Sequence, residues 1–142
     1  MLALAITGLL VAGYLTLVQL GALAGARDPI FGERSTRDVL ELTHPVPDAL
    51  AGVLAYATEV VLLLAHRGRL LLGLVLTAGG LASVALIIIQ PAVAGAWCAL
   101  CLGSAALSLA LLSLGHREAA AALKALRQPR HGLRTLLVQL MG

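Results

Sequence analysis

The sequence predicts an all-α integral membrane protein, a bundle of four transmembrane helices followed by a cytoplasmic amphipathic C-terminal tail. Of its 142 residues, 60% are hydrophobic and 12% are charged, whereas about 25% are charged in a typical soluble domain. Four apolar stretches approach the roughly 17 to 25 residues that a helix needs to cross a bilayer. They run from Met1 to Gly25, Ala49 to Ala65, Leu70 to Gln90 and Trp97 to Gly115. Strands of a membrane barrel would be about 10 residues long and alternate in polarity, so a barrel is not expected.

The first apolar stretch is expected to remain as a helix rather than to be cleaved as a secretion signal. No Lys or Arg precedes it. It is also longer than the roughly 7 to 15 residues of a signal-peptide core.

Two proline-containing connections and a tail complete the predicted topology. A polar loop from Arg27 to Pro47 joins the first two helices, and Pro91 is expected to end or kink the third helix. Residues 1–115 are expected to form the four-helix domain, and residues 116–142 a cytoplasmic or membrane-surface tail. Near its end, leucines at helical spacing fit a surface-bound helix and a solvated tail equally well: Leu133, Leu136, Leu137 and Leu140.

The basic residues predict the orientation. With four spans, the side shared by both termini holds Arg67, Arg69, Arg117, Lys124, Arg127, Arg130 and Arg134. The opposite side holds only Arg27, Arg34 and Arg37, together with five acidic residues. Because positively charged loops stay in the cytoplasm, we expect a protein of the cell inner membrane with both termini cytoplasmic. The start of the fourth helix then lies near the outer face, which is the oxidising side.

The only two cysteines, Cys98 and Cys101, stand three residues apart at the start of the fourth apolar stretch. Residues at this spacing share a helix face, so a disulfide is accessible. Cys98 is expected in the first helical turn, where the macrodipole favours a thiolate nucleophile. Cys101, one turn deeper, is the better candidate to meet a lipid-soluble electron carrier. The alternatives are that the cysteines only pack a helix interface or, less favoured because zinc wants four ligands, that they bind metal.

Three segments of the chain resemble the vitamin K epoxide reductase family of membrane thiol oxidoreductases. The most specific is Gln90 to Ser104, in which a glutamine near the end of a helix is followed by a small-residue turn and Trp-Cys-x-x-Cys-Leu. The others are Tyr14-Leu15-Thr16 in the first helix and Val46-Pro47-Asp48-Ala49, then Gly52 and Tyr56, at the start of the second. Together they cover most of residues 7 to 115.

The resemblance implies a four-helix bundle that holds a quinone or a vitamin K derivative beside Cys101. It also implies that Cys98 exchanges disulfides with a cysteine pair on the outer loop or with a thioredoxin-like partner. One feature departs from the family, because the loop from Arg27 to Pro47 contains no cysteine. Either a partner protein attacks the Cys98–Cys101 disulfide directly, or the chain has lost the full relay and does something else.

Other residues are weighed as parts of the site. Glu59 lies near mid-membrane, where a carboxylate costs about 2.5 to 3.5 kcal/mol, so it should face the bundle interior. It either relays a proton to a quinone or hydrogen-bonds a polar helix residue such as Thr77 or Ser83. Four further residues could line a ring-binding pocket with Trp97, although interfacial aromatics and interhelical hydrogen bonds explain them as well: Tyr14, Gln19, Tyr56 and Gln90. His44 is expected to be a solvated loop residue, and close helix packing is expected at Gly73, Gly79, Gly80 and Ser83.

The leading hypothesis is a membrane thiol–disulfide oxidoreductase with Cys98 and Cys101 as its catalytic pair. It would pass electrons between an extracytoplasmic, thioredoxin-like dithiol protein and a membrane quinone of the ubiquinone or menaquinone type, in a direction that the sequence does not fix. Membrane lipid is the surrounding partner, and no nucleic acid or metal is expected. The competing hypothesis is a non-enzymatic four-helix membrane subunit with structural cysteines.

Overall fold

The protein is helical wherever its structure is described. The computed structural model describes residues 1–23, 28–41, 48–66, 68–127 and 138, and none of these residues is in a strand. The helices are α1 (Leu2–Gln19), α2 (Gly32–Glu41), α3 (Asp48–Ala65), α4 (Arg69–Ile89), α5 (Ala99–Leu114) and α6 (His116–Arg127). A π-helical turn, Gln90–Ala94, extends α4. His44, Pro47 and the leucine pattern of residues 133–140 lie outside the described residues.

Within the described residues, three helices are long and apolar enough to cross a membrane: Leu2–Gln19, Asp48–Ala65 and Arg69–Ala94. The fourth predicted span is shorter than expected, because α5 has only 16 residues. The chain then bends by 78° into α6. The two helices together make a fourth candidate span. The prediction of an all-α membrane bundle is therefore confirmed, with a bent fourth element in place of a straight one.

The four apolar helices run in alternating directions. At one end, Gln19 of α1 donates a hydrogen bond of 2.7 Å from its Nε2 to Asp48 at the start of α3. At the other end, Gly115 after α5 lies against Leu76 of α4 and the side chain of Met1. α1 packs on α3 and α5, and α4 packs on α3, α5 and α6. Both cysteines belong to the end where α1 finishes and α3 begins, which we call the cysteine end.

Glycines allow close contacts between these helices. A Cβ at Gly8 of α1 would overlap the Tyr56 ring, one at Gly80 would overlap Leu112, and one at Gly73 would overlap the backbone of Glu118 in α6. The expectation of close packing is therefore correct for Gly73 and Gly80. It is wrong for Gly79, where a Cβ would meet nothing nearer than the Ser108 hydroxyl at 4.0 Å.

Two local features add to the sequence-based expectation. The loop between the first two spans contains a helix, α2, whose buried Thr36, Val39 and Leu40 recur at the spacing of one helical face. Near Pro91, as expected, the α-helix ends: α4 finishes at Ile89, and a π-helical turn follows. The wider π-helical turn fits the missing N–H of Pro91, which cannot donate the hydrogen bond that an α-helix requires at that position. The turn finishes at Gly95, whose positive φ of 60° suits glycine.

Candidate active site

Cys98 and Cys101 form a disulfide with a Cα–Cα distance of 5.2 Å. The structure corrects the expected position of Cys98, which is the N-cap of α5 and not a residue of its first turn. Its extended backbone, with φ −123° and ψ 110°, lets the side chain fold over the helix start and accept a hydrogen bond from the Cys101 N–H. The helix N-terminus therefore still faces the disulfide.

The Cys98 side chain is buried among Leu15, Val39, Leu40 and Ala96, while the backbone around it makes polar contacts. Its exposed fraction is 0%, and its backbone N–H donates to Oε1 of Gln90 at 3.1 Å. Residues 28–41, which we call the cap segment, are attached to both chain neighbours of Cys98. The Ser35 hydroxyl donates to the Trp97 carbonyl at 2.6 Å and accepts from the Trp97 N–H at 2.9 Å. Water-soluble reagents therefore have no direct path to this sulfur.

Asp28 is the main anchor of the cap segment. Its Oδ2 accepts hydrogen bonds from the Ala99 N–H at 2.7 Å and from the Thr36 hydroxyl at 2.6 Å. Its Oδ1 accepts from the N–H groups of Ile30 and Phe31, both at 2.9 Å. Burial raises the pKa of the Asp28 carboxyl, but the hydrogen bonds from Thr36 and the backbone lower it by more, so the pKa lies below its usual value. The carboxylate also sits where the α5 dipole favours a negative charge.

Cys101 faces a different environment, an apolar cavity of about 580 Å³ inside the bundle. Walls from α1, α2, α3, α4 and α5 enclose it, and most of the wall residues are apolar or small. Four residues of the wall are also exposed on the outside of the bundle: Ala51, Leu54, Ala78 and Ala82. The cavity therefore opens sideways between α3 and α4, towards the surface that lipid would cover.

A few polar groups line this cavity. The Tyr56 hydroxyl lies 2.6 Å from the Ser104 carbonyl oxygen and 2.7 Å from the Ser108 hydroxyl, so it joins α3 to α5 below Cys101. Glu59, one helical turn beyond Tyr56, is 3% exposed. Its Oε2 has no hydrogen-bond partner among the described residues. An apolar pocket with a few convergent polar groups is typical of a small-molecule site.

The predicted site residues fall into two groups. Tyr56 and Glu59 line the cavity with Cys101. Trp97, Gln90 and Tyr14 are not on its wall: Gln90 supports the Cys98 backbone, and the Trp97 ring stacks on Phe31 at 6.3 Å. In the described part of the chain, no three His, Cys, Asp or Glu side chains are grouped as metal ligands.

Sequence reasoning missed Asp28 and Ser35. The dipeptide Asp28-Pro29 was a usable signal, because an aspartate before proline favours a turn in which its carboxylate accepts from N–H groups two and three residues on. Its contact with Ala99, 71 residues away, left no such signal.

Residues 1–115 match the family model described as the Vitamin K epoxide reductase family. The match includes the helices α1 to α5 and both cysteines. No curated protein and no solved structure matches the chain.

Proposed function

Because the chain belongs to the vitamin K epoxide reductase family, we propose that it is a quinone-linked membrane thiol–disulfide oxidoreductase. The family supports thiol oxidoreductase activity, and the Cys98–Cys101 disulfide is the group that can carry it. In one half-reaction a partner dithiol reduces this disulfide and becomes a disulfide itself. In the other, the two thiols give two electrons and two protons to a quinone, which becomes a quinol. Each half-reaction is reversible, and the potentials of the two substrates decide the net direction.

The observation that carries the proposal is the position of Cys101 on the wall of a cavity that opens towards lipid. Its volume of about 580 Å³ lies within the roughly 300 to 1,000 Å³ of ligand pockets. The wall is apolar, which suits the ring of a ubiquinone or menaquinone, and the gap between α3 and α4 gives an isoprenoid tail a way out. Tyr56 and Glu59 are the polar residues that we expect to contact the ring.

Cys98 is the sulfur that we propose for the protein partner, a thioredoxin-like dithiol protein outside the cytoplasm. The cap segment contains no cysteine, so no internal dithiol can pass electrons to Cys98 and the partner must attack the disulfide directly. Because Cys98 is fully buried, the cap segment must move away from Trp97 and Ala99 first. Gln90 would then hold the Cys98 backbone in place while its neighbours open.

We also propose the inner membrane as the location, with both termini cytoplasmic. The basic residues support this orientation, since Arg69, Arg117, Lys124 and Arg127 all belong to the end opposite the cysteines. The contact of Gly115 with Met1 is consistent with the start of α1 and the end of α5 lying on one side. The cysteine end would then face the oxidising compartment.

The proposal is tested by thiol trapping in membranes that contain the reduced protein. Adding a short-chain ubiquinone should oxidise both cysteines and form an equivalent amount of quinol, because each disulfide formed releases two electrons. Cys101→Ser should lose quinol formation completely, since a single thiol cannot form the intramolecular disulfide. If quinone leaves the wild-type thiols reduced, the proposal is wrong and the cysteines are structural.

A second arm of the experiment addresses the partner. Cys101→Ala leaves Cys98 without its resolving thiol, so attack of the Cys98 thiolate on the disulfide of the oxidised extracytoplasmic partner should give a mixed disulfide that accumulates and disappears on reduction. Cys98→Ala is the matched control. A mixed disulfide formed through Cys101 instead would reverse the roles assigned to the two sulfurs.

A further inference from the structure

Glu59 is a buried carboxyl group that the packing of the bundle does not explain. It is 3% exposed, and its Oε2 has no hydrogen-bond partner within the described residues. Neither of the described salt bridges involves it. A buried acid with an unpaired oxygen is costly to keep, which points to a role in binding or chemistry.

The polar helix residues that could have satisfied Glu59 are paired elsewhere. The Thr77 hydroxyl donates to the Gly73 carbonyl at 2.7 Å, and the Ser83 hydroxyl donates to the Gly79 carbonyl at 2.8 Å. Both are bonds within α4. The expected alternative, in which Glu59 serves as an interhelical hydrogen-bonding group to one of these residues, is therefore not found in the described structure.

Glu59 and the disulfide face the same cavity. Glu59 and Tyr56 are three residues apart and share one face of α3, and both line the cavity with Cys101. The Tyr56 hydroxyl contacts α5 between Ser104 and Ser108. These residues lie three and seven positions past Cys101, about 5 to 10 Å deeper at 1.5 Å per residue. A quinone ring with one carbonyl near Cys101 would point its other carbonyl towards Tyr56 and Glu59.

On the basis of the proposed function, we propose that Glu59 is a catalytic residue that exchanges a proton with the far carbonyl oxygen of the quinone. When the thiols reduce the ring, both S–H bonds break, the S–S bond forms and an electron pair enters the ring. Glu59 gives its proton to the far oxygen, and one thiol proton goes to the near oxygen. The remaining thiol proton restores the Glu59 acid, so two protons and two electrons in total pass from the thiols to the quinol.

The Tyr56 hydroxyl lies between the cysteine pair and Glu59, the two ends of the path that the returning proton takes. It is already within hydrogen-bonding distance of Ser104 and Ser108, so it can hold the ring or pass the returning proton without a rearrangement of the helices. Asp48 is the other carboxylic acid among the described residues of the cavity wall. Asp48 accepts a hydrogen bond from Gln19, which sets it apart from the unpaired Glu59.

The test compares Glu59→Gln with the wild type in nanodiscs, using short-chain ubiquinone and the reduced protein in a single turnover. Glu59→Gln keeps the shape of the side chain but cannot release a proton, so quinol formation should slow about 10²-fold, the usual contribution of a general acid. Glu59→Asp should recover part of the rate. Glu41→Gln, an exposed change at the end of α2, is the matched control and should leave the rate unchanged.

Binding is measured separately, as the rise in Tm caused by the quinone. This rise should be similar in Glu59→Gln and the wild type. If Glu59→Gln reduces quinone as fast as the wild type, the role of Glu59 is wrong while the proposed function stands. If the wild type itself does not reduce quinone, the proposed function fails and the role of Glu59 fails with it.

An infrared difference spectrum tests the same role without a variant. Protein labelled with ¹³C-glutamate should show an isotope-shifted change in its carboxylic acid C=O band when bound quinone is converted to quinol. The label separates Glu59 from Asp48, and the other glutamates lie outside the cavity: Glu33 and Glu41 are exposed, and Glu118 is ion-paired with Arg69. A spectrum without a glutamate band change would contradict direct contact between Glu59 and the ring.

Discussion

The two sulfurs of one disulfide differ in how they can be reached. Cys98 is fully buried beneath the cap segment, in which Asp28 and Ser35 are hydrogen-bonded to the residues beside it. Cys101 lines an apolar cavity that opens through the side of the bundle. A covalent bond joins the two sulfurs, and Val39 and Leu40 of the cap segment pack near Cys98 and also line the cavity.

Under the proposed function, this difference would let one small bundle serve two substrates that do not share a solvent. A lipid-soluble ring can reach Cys101 without crossing the cap, and a soluble protein can reach Cys98 without entering the cavity. The cavity side is open, and its wall is mostly apolar. The cap side is closed and held by directional hydrogen bonds.

On the Cys101 side, a large effect is expected from filling the cavity. Gly79→Leu places a side chain where the nearest atom a Cβ would meet, the Ser108 hydroxyl, is 4.0 Å away. The added side chain would occupy the space proposed for the ring, so quinol formation should fall by at least about tenfold, equivalent to 1.4 kcal/mol. Reduction of the disulfide by tris(carboxyethyl)phosphine should change little, because that reagent approaches from the cap side.

Gly103→Leu is the matched control for this change. Gly103 lies on α5 two residues from Cys101, it is exposed, and a Cβ there would meet nothing within 4 Å. Both variants replace a helical glycine with leucine, so they should gain similar helix propensity. Equal quinone activity in the two would mean that the cavity does not hold the ring.

On the Cys98 side, an effect of about the same size is expected from weakening the cap. Asp28→Asn removes the charge from a side chain that accepts four hydrogen bonds, and hydrogen bonds to charged groups contribute roughly 1.5 to 3 kcal/mol each. The disulfide should be reduced about tenfold faster by the phosphine, because the cap opens more often. Asp38→Asn, an exposed change in the same cap segment, should have no effect, and equal rates in all three proteins would show that the cap does not limit access.

Acid should reproduce part of this effect in the wild type. Because the pKa of Asp28 lies below its normal value of 3.8, its carboxylate stabilises the closed cap at neutral pH. This contribution is lost as the pH falls below the normal value and through the pKa of the closed state. The ratio of the phosphine reduction rates of Asp28→Asn and the wild type should therefore approach one in acid. A ratio that stays constant from neutral pH to about pH 3 would contradict the role of the charge.

Much of the fold could be predicted from the sequence because the local composition of a stretch is enough to identify a membrane helix. The length of each apolar stretch determined the spans, and the spacing of Cys98 and Cys101 determined the disulfide. The sequence could not predict how each helix is rotated about its axis, because these helices are apolar on every side and no face stands out as the buried one. Tyr56 and Glu59 were placed in the site and line the cavity, whereas Tyr14 and Gln90 were placed there too and do not.

The sequence alone determined that this is a helical membrane protein with a dithiol at one end of its bundle, because hydropathy and a three-residue spacing are local properties. Only the tertiary structure decided which sulfur is covered and which one meets the cavity. That decision rests on contacts such as Asp28 with Ala99 and Tyr56 with Ser108, which join residues 71 and 52 positions apart. Such contacts exist only after the helices have packed, so no pattern in a single stretch of the chain records them.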